Sequence, residues 1–287
     1  MSYSKKLITI ITAASLFSLG LTALNVSAAE KLKEIRVGVT GDYNAQWDTI
    51  NKLHSKEGLK VKLVKYSDYA TPNRALNDGD IDLNAFQHKA FLENDRARNG
   101  YKIEAIGDTI VTPIRLFNNK SKIKSVADIK DGDIIGIPSD LTNGGRALKL
   151  LEAAGLIELD PSKGVVPTKA DITKYNKKIV IREAESGILF RLLPDLSAAV
   201  INGGNAFTAR LDPVKDAIFS EDVNPKTNPH VSRLVNAIVA RSANKDNPDY
   251  RKVVKAYQTP EVAQTLKDAY KGGYIPAWEG ADQYKLK

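Results

Sequence analysis

The chain reads as an α/β protein made of two successive units. Three observations point there. Runs of strand length give way repeatedly to helical stretches, several of them closed by glycine. The same order then begins again near residue 134. A last apolar run at 236–241 leads into a purely helical tail.

Taken in order, residues 34–40 alternate as a strand does, and 44–57 read as a helix stopped by Gly58. Residues 59–66 alternate apolar with basic, as a half-exposed strand would, and 71–77 form a short helix. A strand over 80–86 and a helix over 88–99 complete the first unit. In the second, 134–138 is a buried strand, 143–154 a helix closed by Gly155, 178–182 a strand, 186–193 a helix and 198–202 another buried strand. The strand 236–241 and helices within 249–271, ended by Gly272-Gly273, close the chain. A chain that runs out to a second lobe and returns would cross near Thr112-Pro113 and again near Asn236. The expected division is therefore 1–28 as a signal peptide, 29–113 plus 236–287 as the first lobe, and 114–235 as the second. Neither an internal repeat nor a low-complexity tract is visible.

Residues 1–28 carry the three parts of a secretory signal peptide. Lys5 and Lys6 give a positive start, 7–24 are mostly apolar, and Val26-Ser27-Ala28 supply small residues for a cut before Ala29. The apolar stretch is broken by Thr, Ser and Gly and runs straight into the cut site, which weighs against a membrane anchor. The chain contains no cysteine. That excludes disulfides, cysteine metal sites and a lipid on an N-terminal cysteine. A free periplasmic protein, secreted across the inner membrane and not lipid-anchored, is the expectation. Of the net charge of +8, two units belong to Lys5 and Lys6, and the remaining Lys and Arg are scattered among acidic residues. A nucleic-acid stripe would cluster them, so no nucleic-acid partner is expected.

Catalytic signatures are missing. His54, His88 and His230 lack metal-ligand spacing, and neither a Gly-x-Ser-x-Gly elbow nor a Walker-type phosphate loop occurs. No metal, cofactor or catalytic pair is expected. Three local features remain. Residues 138–146 join a buried strand to a helix, with Gly144 and Gly145 at the helix start, where free backbone N–H groups favour an anion. Arg146 adds a planar charged fork able to grip a carboxylate. Alone, a plain loop with a surface arginine is the plainer reading. Asp82 to His88 stands at a strand end, where open α/β folds bind ligands. There Phe86 beside polar groups suits an amino acid with an apolar side chain, although Phe86 as core and His88 as a structural histidine is the plainer reading. Asn202, before Gly203-Gly204, could reach a cleft or simply form a turn. Asn236 is in the same position.

Together these segments resemble the methionine-binding lipoprotein family of ABC importers. The markers appear in order from about Ile35 to Trp278: Val37-Gly38-Val39-Thr40, Tyr66-Ser67-Asp68-Tyr69 with Pro72-Asn73, Phe86-Gln87-His88, Ile137-Pro138 with Asn143, Gly145-Arg146-Ala147-Leu148, Leu150-Leu151-Glu152 with Ala154-Gly155-Leu156-Ile157, Ala198 to Gly203, and Lys271-Gly272 with Ile275-Pro276-Ala277. The ordered set is specific, although no single tetrapeptide is. The resemblance implies a two-lobed clamshell of the periplasmic-binding-protein kind, with the ligand in the interlobe cleft. It implies that Tyr69 and Phe86 flank a thioether, for roughly 0.3–1.5 kcal/mol per sulfur–aromatic contact. His88 would add a polar contact, Arg146 would hold the α-carboxylate, and Asn202 and Asn236 would meet the ligand's amino and carboxylate groups. It implies a non-enzymatic binding protein that delivers methionine, the L form with D as an alternative, to an inner-membrane ABC permease; a monomer suits that mechanism. Ala85 stands where the family often has an aromatic, so another small amino acid, a methionine-containing dipeptide or another nutrient stays open as the ligand.

Overall fold

The computed structural model describes residues 33–42, 44–120, 122–164, 166–213 and 215–284; the signal peptide expected over 1–28 lies outside them. The described chain begins with β1 (Lys33–Thr40), whose Ile35, Val37 and Val39 are buried. α1 (Ala45–His54) turns Trp47 and Ile50 inward and runs through a short 3-10 turn to Gly58, whose φ of +78° only glycine adopts readily. β2 (Leu59–Tyr66) pairs parallel to β1 along its whole length. α2 (Thr71–Asp78), β3 (Leu83–Asn84), α3 (Lys89–Asn99) and β4 (Ile103–Val111) follow.

The chain then enters a second sheet. Its elements are β5 (Arg115–Asn118), β6 (Ile134–Pro138), α4 (Leu141–Ala153), β7 (Ile157–Leu159), β8 (Ile172–Tyr175), β9 (Val180–Ala184), α5 (Leu189–Leu192), β10 (Ala198–Ile201), α6 (Gly203–Thr208), β11 (Ala217–Ser220) and α7 (Val231–Leu234). It returns through β12 (Val235–Arg241) to α8 (Pro248–Tyr257), α9 (Pro260–Tyr270) and β13 (Ile275–Pro276).

The first sheet has the order β13-β4-β12-β3-β1-β2 and the second β11-β5-β10-β6-β9, with β7 and β8 as a separate hairpin. Each sheet has its parallel pairs at one end (β1 with β2 and β3, β6 with β9 and β10) and antiparallel ones through the rest. Each is packed on both faces. Ile35, Val37 and Val39 meet the α1, α8 and α9 side, while Leu76, Leu92 and Ile103 fill the other. In the second, Ile135, Ile137 and Val200 meet α4, while Leu189, Leu196 and Ile201 fill the opposite face. The molecule is a two-lobed α/β protein, each lobe built on one of the two larger sheets. Both faces being apolar explains why β6 and β10 read as unbroken hydrophobic runs.

Several elements differ from the sequence expectation. The strand expected over 80–86 shrinks to Leu83–Asn84, because Arg36 pulls the preceding residues into a turn: its backbone N–H and side-chain Nε both donate to Asp82 Oδ2, at 2.8 and 3.1 Å. The strand expected over 178–182 sits two residues later, at Val180–Ala184, in register with β6. The helix expected over 186–193 forms only at Leu189–Leu192 before Pro194. Its first residues are diverted when the Glu185 carboxylate accepts the Gly187 N–H at 2.8 Å. The sequence reading passed over β4 altogether. Gly107-Asp108-Thr109 interrupts its alternation, and its pairing with β12 shifts register twice. Gly107 is there because α8 lies directly on the strand: a Cβ at that position would stand 2.4 Å from Val254 Cγ1.

Valine is stiff at χ1 and cannot swing aside. Gly107→Ala is therefore expected to destabilise the fold by about 1–3 kcal/mol through overpacking. Urea denaturation followed by tryptophan fluorescence measures it, and an unchanged midpoint would mean that α8 yields freely.

Candidate functional site

The cleft between the lobes holds a cavity lined by residues from both, and all six sequence candidates stand in its wall: Tyr69, Phe86, His88 and Asn236 from the first lobe, Arg146 and Asn202 from the second. It offers about 70 Å³ to the centres of water molecules. A single buried water needs about 10–15 Å³ on that measure. The space therefore suits several waters or one small solute.

The lobes are closed across it. Asn205 Nδ2 of α6 donates to the Tyr69 hydroxyl at 3.1 Å, and the Asp42 N–H donates to Thr208 Oγ1 at 3.4 Å. Phe207 of α6 packs edge-on against Tyr270 and Tyr274, whose rings stack 4.1 Å apart.

The polar wall begins with the N-terminus of α4. Asp140 caps the helix by accepting the Asn143 N–H at 2.9 Å. The same carboxylate accepts both contacts of Asn143 Nδ2, at 3.1 and 3.0 Å. A carboxylate accepts only, so the Asn143 amide nitrogen must face it and the amide oxygen must face the cleft. That oxygen then accepts from Asn202 Nδ2 at 2.8 Å and meets His88 Nε2 at 3.2 Å. His88 is the N-cap of α3, and its Nδ1 accepts the Phe91 N–H at 3.1 Å. With Nδ1 an acceptor, the ring proton sits on Nε2 and donates to Asn143. Burial, with the Arg146 charge adding to it, holds the His88 pKa down to about 3, so the ring is neutral.

Asn202 has its nitrogen committed in this chain, which aims Oδ1 elsewhere. That oxygen is buried without a partner, as is Thr112 Oγ1; among the described residues Trp47 Nε1 is the other such atom. Thr112 and Asn202 both line the cavity. An unpaired buried polar atom costs about 1–3 kcal/mol until something bonds to it. Gly203 keeps the Thr112 hydroxyl in place, since a Cβ there would come 2.1 Å from Oγ1.

Opposite lies an aromatic corner. Tyr69 and Phe86 are 5.9 Å apart between centroids, and Phe91 meets both nearly edge-on at 6.1 and 6.0 Å. Burial pushes the Tyr69 phenol well above its ordinary pKa, so it stays protonated. Behind this corner the side chains of Asn73, Asn84 and Gln87 bond to one another and fix the run that carries Phe86 and His88. Asn236 enters where β12 begins, opposite His88, with Nδ2 donating to Ile110 O at 3.3 Å.

Arg146 is the one charged side chain in the cavity wall among the described residues. Its fork is not empty, which revises the picture of a free bidentate grip. Nε donates to Glu221 Oε1 at 3.0 Å, and Nη2 donates to Glu221 Oε2 at 2.5 Å and to Thr112 O at 3.1 Å. Nη1 makes none of these bonds.

Sequence reasoning missed Thr112, Phe91, Glu221 and the role of Asn143. Asp140 with Asn143 three residues on is a capping spacing that could have marked that pair. Glu221 had no local signal. Among the described residues no group of three or more His, Asp or Glu could hold a metal ion.

Two α/β lobes closed over a small polar and aromatic cavity define the class: a periplasmic-binding-protein fold with its ligand site in the interlobe cleft. The chain belongs to the NlpA lipoprotein family, which it matches over residues 35–278. It is 42% identical to outer membrane lipoprotein 3 of Mannheimia haemolytica over 95% of this chain and 100% of that protein. It is also 42% identical to the D-methionine-binding lipoprotein MetQ of Salmonella typhimurium, over 85% of this chain and 88% of that one. Among solved structures, a nutrient-binding protein from Burkholderia cenocepacia bound to methionine superposes with a TM-score of 0.79 at 38% identity, covering 85% of this chain and 100% of that one.

These relatives correct one expectation. A free, non-lipidated chain was inferred from the lack of cysteine alone, whereas the family and the relatives matched along nearly their whole length are lipoproteins. A periplasmic location fits them.

The His88 pKa gives a stability prediction. The unfolded chain binds a proton near pH 6.5, whereas the folded chain resists it down to about 3. Between those values the unfolded state holds more protons, so stability falls as pH falls, by up to about 1.4 kcal/mol per pH unit from this group. Urea titrations at pH 7.5, 6 and 5 should show that loss, and His88→Gln should flatten it. Equal slopes for the two proteins would place the acid sensitivity elsewhere.

Proposed function

We propose that this chain is a substrate-binding protein that captures methionine in the interlobe cleft and delivers it to an ABC permease of the inner membrane. The observation that carries the reading is the pair of buried, unpartnered oxygens, Asn202 Oδ1 and Thr112 Oγ1, in a closed cavity that also holds an aromatic corner and one arginine. An amino acid matches that set. Its ammonium donates to the two oxygens, and its carboxylate meets Arg146 Nη1. An apolar, polarizable side chain lies against Tyr69, Phe86 and Phe91, where a thioether gains from aromatic contact. His88, neutral and held by Asn143, shapes the wall beside the ligand, and Asn236 offers an amide oxygen from the first lobe. Relatives named for methionine binding, and one solved with methionine, support the choice of ligand.

The lobes in this reading are 29–113 with 236–287, and 114–235, joined at the crossing around Thr112-Pro113-Ile114 and at the return before Asn236. A ligand that bonds to both lobes favours the closed state by its differential contacts. The protein acts as a monomer and transforms nothing; one relative and one solved neighbour are named for binding. Both stereoisomers are candidates. No carboxylate lines the cavity among the described residues, so the amino group is read by neutral oxygens. Ala85 also lines it, and its small size favours a second reading in which a different small amino acid, a methionine-containing dipeptide or another nutrient fills the added space.

Native mass spectrometry of the purified protein, before and after denaturation, tests the ligand. Release of methionine is the expected result, and a different mass would reassign the specificity. If the protein emptied of ligand binds no amino acid by calorimetry, the reading fails. Arg146→Ala should weaken methionine binding by roughly 2–4 kcal/mol, or about 30- to 1,000-fold in Kd. Unchanged affinity would remove Arg146 as the carboxylate partner.

A further inference from the structure

We infer that Glu221 is a positioning residue: it presents one edge of Arg146 to the ligand and ties that arginine to the crossing between the lobes. The inference rests on the reading of Arg146 as the carboxylate partner. Glu221 follows β11 in the second lobe and does not line the cavity. Its side chain is 12% exposed and that of Arg146 7%, so the pair is shielded from water.

Arg146 has five N–H donors in a rigid plane. Three are engaged: Nε and one Nη2 hydrogen by Glu221, the other Nη2 hydrogen by Thr112 O. The guanidinium can therefore neither rotate nor translate, and only the two Nη1 hydrogens remain. Arginine otherwise has many rotamers, and ordering it on binding would weaken the complex. Glu221 imposes that order beforehand.

The same carboxylate reaches the crossing. Glu221 Oε2 accepts the Ile114 N–H at 3.1 Å, and the Glu221 N–H donates to Ile114 O at 3.0 Å. Thr112, whose carbonyl holds Arg146, carries one of the unpartnered oxygens of the cavity wall. Thr112 and Ile114 flank Pro113 between β4 and β5, where the chain passes from one sheet to the other. Arg146, Glu221 and the crossing thus form one hydrogen-bonded unit, and a ligand seated on Nη1 pulls on that unit rather than on a loose side chain.

Glu221→Gln nearly keeps the volume but removes the charge and puts a donor where an acceptor is needed. The test compares methionine with methioninamide, which lacks the carboxylate, by calorimetry on wild type and variant. Methionine affinity should fall about tenfold, while methioninamide changes less than about twofold, so that the preference for the carboxylate collapses. In an Arg146→Ala background, adding Glu221→Gln should cost less than a further twofold or so, because Glu221 acts through Arg146. Equal weakening of both ligands would mean that Glu221 only scaffolds the lobe, and unchanged methionine affinity would remove it from binding; either overturns the inference. Should Glu221→Gln fail to fold, Glu221→Asp takes its place. It keeps the charge but shortens the reach, with the same selective loss expected and the same outcomes against it. Failure of the wild type to bind methionine would instead strike the proposed function, so the two failures are separable.

Discussion

The cleft is organised around one amide. Asn143 Oδ1 is approached by His88 Nε2 from the first lobe and by Asn202 Nδ2 from the second, and it can take both only because Asp140 holds the amide nitrogen on the other side. The consequences follow by hydrogen-bond polarity alone. With the Asn143 oxygen turned to the cleft, the imidazole must bring its proton to Nε2 and leave Nδ1 to cap α3. Asn202 must bring its nitrogen and leave its oxygen unpartnered. If Asn143 were reversed, donors would face donors at His88 and Asn202, and oxygen would face oxygen at Asp140, in a buried site where each mismatch is expensive. A helix cap is thus also the device that sets the polarity of the wall.

The electrostatics of the site are equally sparse. Its histidine is neutral because burial and the Arg146 charge both oppose protonation. Among the described residues its single formal charge, Arg146, is balanced by Glu221. A lone buried guanidinium would be strongly unfavourable, whereas a paired and fully bonded one is tolerated. A zwitterionic ligand brings two opposite charges of its own, and a cavity wall close to neutral accommodates it without an excess of either sign. The closed arrangement also draws on contacts outside the Asn143 network, including Phe207 against Tyr270 and Tyr274 and Asn205 with Tyr69.

Much of the fold was legible in the chain because its signals are local. Alternation gave β1 and β2, unbroken apolar runs gave β6 and β10, and glycines in the left-handed region ended α1 and α4 where Gly58 and Gly155 stand. β4 escaped because its pattern answers to α8, more than a hundred residues on: Gly107 reads as a breaker in sequence and is a contact point in space. The strand over 80–86 was read too long for a similar reason, since Arg36 on a different strand turns Asp82 away.

The order of residues by itself determined many of the strands and helices, that two α/β units follow each other, that Phe86, His88, Asn202 and Asn236 stand at element ends, and that Arg146 lies in the early turns of a helix, where a cleft can use them. Those properties depend on neighbours a few positions away. The closed fold alone brought Glu221 to Arg146, Asn143 between His88 and Asn202, Phe91 into the aromatic corner and the Thr112 hydroxyl beneath Gly203. Each of these is a pairing between distant segments, and hydrogen-bond polarity and van der Waals contact act over a few ångströms of space, a distance that spacing along the chain does not encode.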